Sequence, residues 1–283
     1  MQIFKSHREL QNHLYGERKK GHSIGFVPTM GALHQGHISL LDLCNAKCDV
    51  SVVSIFVNPL QFNNKEDLAK YPVQHEQDLS LLRKNRCDVV YLPENHDILG
   101  DEIENIQLNL GNLDQVLEGK FRPGHFDGVV QIVHRLFKIV QPNIAVFGEK
   151  DLQQVAVIKQ LQKSFYPDVL LIVAPTKREA NGLAMSSRNM RLSDDGKIKS
   201  AVIFEAFNMA KTMLKSYMPS EIITAVKNKI ETAGLEVEYV SIVDAETFED
   251  LSLADQWKSK SYICCAVTCE GVRLIDNFSL DQD

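Results

Sequence analysis

Residues 49–59, DVSVVSIFVNP, are almost wholly apolar and rich in Val and Ile, the pattern of a strand buried on both faces. Similar short apolar runs recur as SIGFVP, DVVYLP, IAVFG and VLLIVAP. Between them lie segments with helical spacing: HISLLDLCNAK, HEQDLSLLRKNR, FDGVVQIVHRLFKIV and DLQQVAVIKQLQKSF. A first amphipathic helix is expected over roughly 6–20, because Ser6-His7-Arg8-Glu9 has the form of a capping box and Gly21 that of a stop. Strands alternating with helices predict an α/β fold with a doubly wound, parallel, Rossmann-like sheet.

The rhythm breaks after Pro175. Two helical stretches follow from Ser193, the second opened by Pro219-Ser220. Then come EVEYVSIVD, SYICCAVTC and VRLIDNFSL as strands, the last two joined through Glu270-Gly271 as a hairpin. Two domains are therefore expected, 1–175 and a smaller α+β domain 176–283, with no repeat or low-complexity segment. Outside the helix-strand units, the alternating NIQLNL, Asn105 to Leu110, reads as a further strand able to pair at a sheet edge.

Composition narrows the class. The 283 residues are 44% hydrophobic and 24% charged, ordinary for a globular chain, and the formal charge of -6 offers no basic field for nucleic acid. The N-terminus turns polar within a few residues and no apolar run approaches the ~18 residues of a membrane span, so neither export nor insertion is expected. The six cysteines contain no C-x-x-C, and Cys264, Cys265 and Cys269 fit a strand as small buried hydrophobes. A cytoplasmic protein acting on small anionic ligands is the expectation.

The candidate chemistry begins at PTMGALHQGH, Pro28 to His37, where a strand runs through a glycine loop into a helix. Free N–H groups of a helix's first turn attract phosphate, and His34 and His37, with Gly36 between them, can face the same anion. The same H-x-x-H is also compatible with a helix cap, or with a zinc fragment, for which no further ligand stands at metal spacing. In an open α/β sheet ligands gather at the carboxyl ends of strands, and unusual residues stand at the other strand ends too. These are Asn58-Pro59-Leu60-Gln61-Phe62, Gly148-Glu149-Lys150-Asp151, and the loop Met185-Ser186-Ser187-Arg188-Asn189. Lys150 sits where the helix dipole disfavours a cation by roughly 0.3–1 kcal/mol, unless a bound anion, or Glu149 and Asp151, offset it. Ser186, Ser187 and Arg188 offer hydroxyls and a guanidinium fork suited to phosphate oxygens, while Gln61 and Gln154 are neutral groups able to orient a polar substrate.

PTMGALHQGH, SIFVNPLQF, FGEKDLQQ and GLAMSSRN, in this order and spacing, resemble the pantothenate synthetase (pantoate-β-alanine ligase) family over essentially the whole chain. The resemblance implies a fold of the class I synthetase and nucleotidylyltransferase type, with an ATP- and pantoate-binding first domain and a second domain closing over the site. It implies ATP-dependent ligation of pantoate and β-alanine through pantoyl adenylate, with magnesium, in a homodimer. By position it assigns catalysis to His34, His37, Lys150, Ser186 and Arg188. Nucleotide contacts fall on Met30, His34, Gly36, His37, Gly148, Lys150, Asp151, Lys177, Met185, Ser186, Ser187 and Arg188. Pantoate contacts and the lining of its site fall on Asn58, Gln61, Tyr71, Arg122 and Gln154, and an acidic residue associated with magnesium on Asp78. Two departures from the family pattern stand out, Val73-Gln74 after Tyr71-Pro72 and Asn181 between Ala180 and Gly182. They bear on a flap near Tyr71 or the serine loop, which would shield the mixed anhydride from water. Rival readings are a nucleotidylyltransferase that stops after nucleotide transfer and a nucleotide-binding regulator without turnover; a tRNA synthetase is disfavoured by the small second domain and the acidic charge.

Overall fold

The computed structural model describes residues 1–100, 105–252 and 260–281. The chain divides into two compact units: residues 1–110, 122–149 and 154–175 form the first, and 111–121, 150–153 and 176–283 the second. Two segments that precede residue 175 in the chain thus group with the second unit.

The first unit is built on strands β1 Gln2–Phe4, β2 Ile24–Thr29, β3 Val50–Ile55, β4 Val89–Tyr91, β5 Ile144–Gly148 and β6 Leu170–Ala174. Their order is β1-β4-β3-β2-β5-β6 and each pairing is parallel. β3 is buried at all its positions, as its unbroken apolar run predicts. The strand order reverses between β2 and β5, the place where open α/β sheets take their ligands. Helix Gln35–Asn45 follows β2 and packs Ile38, Leu41 and Cys44 into the core with Val27, Val53 and Val146. Helix His125–Val140 is buried on nearly every face, and its Gly128 lets the turn at Leu60 approach: a Cβ there would meet Leu60 O at 2.3 Å.

The second unit carries an antiparallel sheet of β7 Glu236–Asp244, β8 Ser261–Cys269 and β9 Val272–Ser279. Its core joins Ile242, Ile263, Cys265 and Val267 to Phe207 of helix Val202–Met213 and to Ile222, Val226 and Ile230 of helix Pro219–Thr232. β8 and β9 meet through Glu270 and Gly271, with φ of 52° and 72°, the paired left-handed residues of a tight hairpin turn.

Two local expectations are corrected. The first helix does run from His7 to Lys19, but the Ser6 side chain makes no capping bond. Asn105 to Leu110 form no strand. The amide of Gln131 bonds both backbone groups of Ile106, and Arg135 donates to the Asn105 side chain at 3.0 Å, so side chains take the place of a neighbouring strand. Among the described residues no helix is long and apolar enough to cross a membrane.

Candidate active site

The histidine loop is held in shape from two directions. Gly31 and Ala32 have φ of 79° and 49°, the left-handed conformation that turns successive N–H groups toward one point. Asp78, 1% exposed on helix His75–Lys84, fills that point: its Oδ2 accepts from Ala32 N at 2.9 Å and its Oδ1 from Leu33 N at 2.7 Å. On the far side His34 caps the helix, its Nδ1 accepting from Gly36 N at 3.1 Å, while His37 Nδ1 accepts from His34 N at 3.2 Å. This is a capping box made of two histidines, with ring centroids 4.1 Å apart. With both Nδ1 atoms accepting backbone N–H groups, each neutral ring carries its proton at Nε2 and is a donor there.

Asn58, Gln61, Met30 and Arg122 form a second group in the same unit. Asn58, 1% exposed, donates to Gln61 Oε1 at 3.1 Å and to Gly128 O at 3.0 Å. Gln61 donates to Met30 Sδ at 2.7 Å. The Gln61 carbonyl accepts from Arg122 Nη2 at 3.1 Å and takes His125 Nδ1 at 2.8 Å. Gln61 is thus fixed at both backbone and amide, and sequence reasoning missed His125 as one of the groups that fix it. Tyr71 is 7% exposed and packs edge-on against Phe62 with ring centroids at 5.7 Å, whereas Val73 is 62% exposed. Gln154 is half-buried at the start of helix Leu152–Phe165. Gly148 ends β5, and a Cβ there would meet only Leu40 at 3.9 Å, so packing does not demand glycine at this strand end.

The second unit holds Lys150 and the serine loop. Lys150 lies in the 3-10 turn Glu149–Asp151, its Nζ 3.9 Å from Asp151 Oδ1, too long for a strong pair, and its side chain only 17% exposed. Ser186 caps the turn Ser187–Arg191, its Oγ accepting from Arg188 N at 3.3 Å, with Ser187 buried and Met185 and Arg188 half-buried. Lys177, exposed, accepts Met185 N at its carbonyl at 2.9 Å, closing a hairpin whose tip is Gly182, φ 91°. Asn181 donates to Lys197 O at 3.3 Å, a bond that the aspartate commonly expected here could not make.

One dipeptide on β9 ties these pieces together, and it was missed. Asp276, 4% exposed, takes Arg178 Nη1 at 2.6 Å and Nη2 at 3.0 Å, while Arg178 also donates to Gly182 O and lies over the Phe204 ring at 4.4 Å. Burial pushes the Asp276 carboxyl up, opposed by Arg178 and the Asn277 N–H. The Asn277 amide donates to Lys150 O at 2.8 Å. The signal in the sequence was a polar pair, Asp-Asn, at adjacent positions of a strand after the apolar Leu274-Ile275, where one of the two must face the core.

No group of three or more metal-ligating side chains occurs among the described residues. Asp78 anchors the loop, each of its oxygens accepting one backbone N–H group. The H-x-x-H histidines serve as the cap of helix Gln35–Asn45, each Nδ1 accepting a backbone N–H of the loop.

Comparison with known proteins agrees across the full length. A family model described as pantoate-beta-alanine ligase matches residues 2–279. The chain is 48% identical to the pantothenate synthetase of Cytophaga hutchinsonii over 95% of this chain and 96% of the relative. It superimposes on the pantothenate synthetase of Thermus thermophilus with a TM-score of 0.92, at 34% identity and complete coverage of both chains. It is also similar to the pantoate-beta-alanine ligase of Francisella tularensis complexed with beta-gamma ATP and beta-alanine, with a TM-score of 0.83, 36% identity, and 100% and 99% of the two chains covered.

Proposed function

We infer the reaction from a premise now secured: the chain belongs to the pantoate-beta-alanine ligase family. It ligates pantoate and β-alanine to pantothenate at the expense of ATP, releasing AMP and diphosphate. The observation that carries this reading beyond the family match is the double-histidine cap, which presents two imidazole donors at a helix start.

The pantoate carboxylate is already a nucleophile, so the first step needs no general base. It attacks the α-phosphorus of ATP, the bond to diphosphate breaks, and pantoyl adenylate forms. Negative charge accumulates on the oxygens around phosphorus, and fixed donors stabilise it without reorganising. We assign that work to His34 and His37 at Nε2, to Lys150, and to Ser186 and Arg188. Met30, Gly36, Gly148, Asp151, Lys177, Met185 and Ser187 are assigned to the nucleotide. Gln61 and Gln154 orient pantoate, with Asn58, Tyr71 and Arg122 shaping its pocket. In the second step the amine of β-alanine attacks the acyl carbon and AMP leaves with the electron pair of the broken C–O bond.

Magnesium would accompany ATP and offset phosphate charge, with Asp78 the acidic side chain that the family resemblance associates with it. Free thiols at all six cysteines support a reducing compartment, the cytoplasm. A homodimer formed through the first unit is supported by β6, an apolar edge strand whose Leu170 is 57% exposed. Incubation with ATP, pantoate and β-alanine should yield pantothenate and AMP in equal amounts. AMP transfer onto a phosphate ester, or ATP binding without diphosphate release, would overturn the assignment.

A further inference from the structure

Cys44 lies on the last turn of helix Gln35–Asn45 and Cys48 just past its end, where Cys48 N still donates to Cys44 O at 3.1 Å. Residues so related have Cα atoms roughly 6 Å apart, inside the span of about 4.4–6.8 Å that disulfides bridge. Their sulfurs are 3.7 Å apart and unbonded.

The strand beneath is shaped around this pair. A Cβ at Gly25 of β2 would stand 2.4 Å from both sulfurs, closer than real Cβ atoms come. Gly25 is not among the residues with positive φ, so backbone conformation does not call for glycine. The space for two thiols does.

The six cysteines differ sharply in reach. Cys48 is half-buried, whereas Cys44, Cys87, Cys264, Cys265 and Cys269 are all buried. Burial pushes the Cys87 thiol up to about 12 and also raises Cys264 and Cys265, leaving them protonated and inert. The hydrogen bond from Cys44 lowers Cys48, opposed by its partial burial and helped by the Gly25 N–H. A half-buried thiol with a lowered value and a second thiol in contact 3.7 Å away is the arrangement of an oxidisable pair.

We propose that Cys44 and Cys48 form a redox-active dithiol that a hydroperoxide closes and a small-molecule thiol reopens. The Cys48 thiolate attacks one oxygen of hydrogen peroxide, the O–O bond breaks, and the hydroxide that leaves takes a proton to become water. Cys48 is then a sulfenic acid. The Cys44 sulfur attacks the Cys48 sulfur, the S–O bond breaks, and a second water carries off the Cys44 proton. Two thiols have been oxidised by two electrons and one peroxide reduced. Two equivalents of an external thiol reverse this by exchange.

Lys47 makes the test direct, because trypsin cuts between the two cysteines and places them on fragments 21–47 and 48–65. The full-length protein is treated with limiting peroxide, alkylated and digested without reductant. The two fragments should emerge joined, separate on adding reductant, and the other four cysteines should be alkylated as before. Cys44→Ser should accumulate a Cys48 sulfenic acid that a dimedone-type nucleophile traps, and Cys48→Ser should leave Cys44 unoxidised at the same dose. The proposal fails if Cys44 and Cys48 stay alkylatable while peroxide is consumed at other cysteines. It fails equally if wild-type protein takes Cys48 to sulfinic acid with no linked fragment. The linkage is read in the wild-type chain, so poor folding of a variant cannot mask it.

Discussion

Asp78 receives a backbone N–H on each oxygen, and that changes what its loss should do. Asparagine keeps one acceptor and turns an NH₂ toward the second N–H, leaving a buried donor unmet at about 1–3 kcal/mol. Asp78→Asn should therefore lower stability by that amount and lower turnover through the distorted loop, and raising magnesium should not restore activity. Recovery under a magnesium titration would make Asp78 a metal ligand after all. Residues assigned to developing charge behave differently from those assigned to binding. Lys150→Ala, His34→Ala and His37→Ala should each cut turnover by roughly 10²-fold or more, the loss of one preorganised donor, with a smaller effect on pantoate affinity. Gln61→Ala and Gln154→Ala should instead raise the pantoate requirement by roughly 1–3 kcal/mol each and leave ATP affinity nearly unchanged. Steady-state kinetics on the five variants decides this, and glutamine variants that lose ATP while holding pantoate would exchange the two pockets. The sequence made these side chains visible because they stand at strand ends among apolar runs. It could not show that Asp78 is turned toward the Ala32 N–H, since that depends on a left-handed alanine that no local pattern announces.

At the scale of elements, the buried strands and long helices were legible because burial on both faces of β3 requires an unbroken apolar run, and a core-facing helix requires its period. NIQLNL misled for a physical reason. Its alternation is real, with Ile106 and Leu108 turned inward, but the backbone groups of Ile106 find the Gln131 amide and not another strand. Alternation records which side faces the core and says nothing about what satisfies the backbone. The turn at Glu270-Gly271 was legible as a hairpin, yet its second role was not. Glu270 reaches the start of helix Asp194–Ser200, where its Oε1 accepts from Ser193 Oγ at 2.6 Å and its Oε2 from Ser193 N at 2.8 Å. Gly196 leaves room for the carboxylate, since a Cβ there would lie 2.6 Å from it. The Ser193 hydroxyl, and then its N–H, hold the Glu270 carboxyl below its ordinary value. A depressed folded-state value means the contribution is present above the ordinary glutamate value of about 4.3 and is lost as pH falls through the folded value. Glu270→Gln should thus melt below wild type at neutral pH, with the two melting curves converging in acid. A gap that stays constant into acid would show that the charge contributes nothing.

For the whole molecule, two expectations follow from putting adenylation before amide formation and from the edge strand β6 with its exposed Leu170. Light scattering at micromolar concentration should return twice the chain mass, and Leu170→Lys, which puts a charge on the apolar edge strand β6, should shift it toward the monomer. A wild-type monomer would remove the dimer from the proposal. The order of chemistry is open to a sharper measurement. If pantoate attacks ATP before β-alanine takes part, the first step is complete and reversible with only two substrates bound. Labelled diphosphate should then pass into ATP when pantoate and ATP are present and β-alanine is absent, at a rate that disappears without pantoate. Lys150→Ala should depress this exchange as strongly as it depresses overall turnover, because the charge it is assigned to meet develops in adenylation and not in amide formation. Gln61→Ala should depress the exchange at low pantoate and recover it at high pantoate. Exchange that requires β-alanine would mean that the amine must be bound before phosphorus is attacked, and the free adenylate would have to be replaced by a concerted route. If Lys150→Ala kept full exchange while losing turnover, the lysine would belong to the second step and its assignment to phosphate would fall.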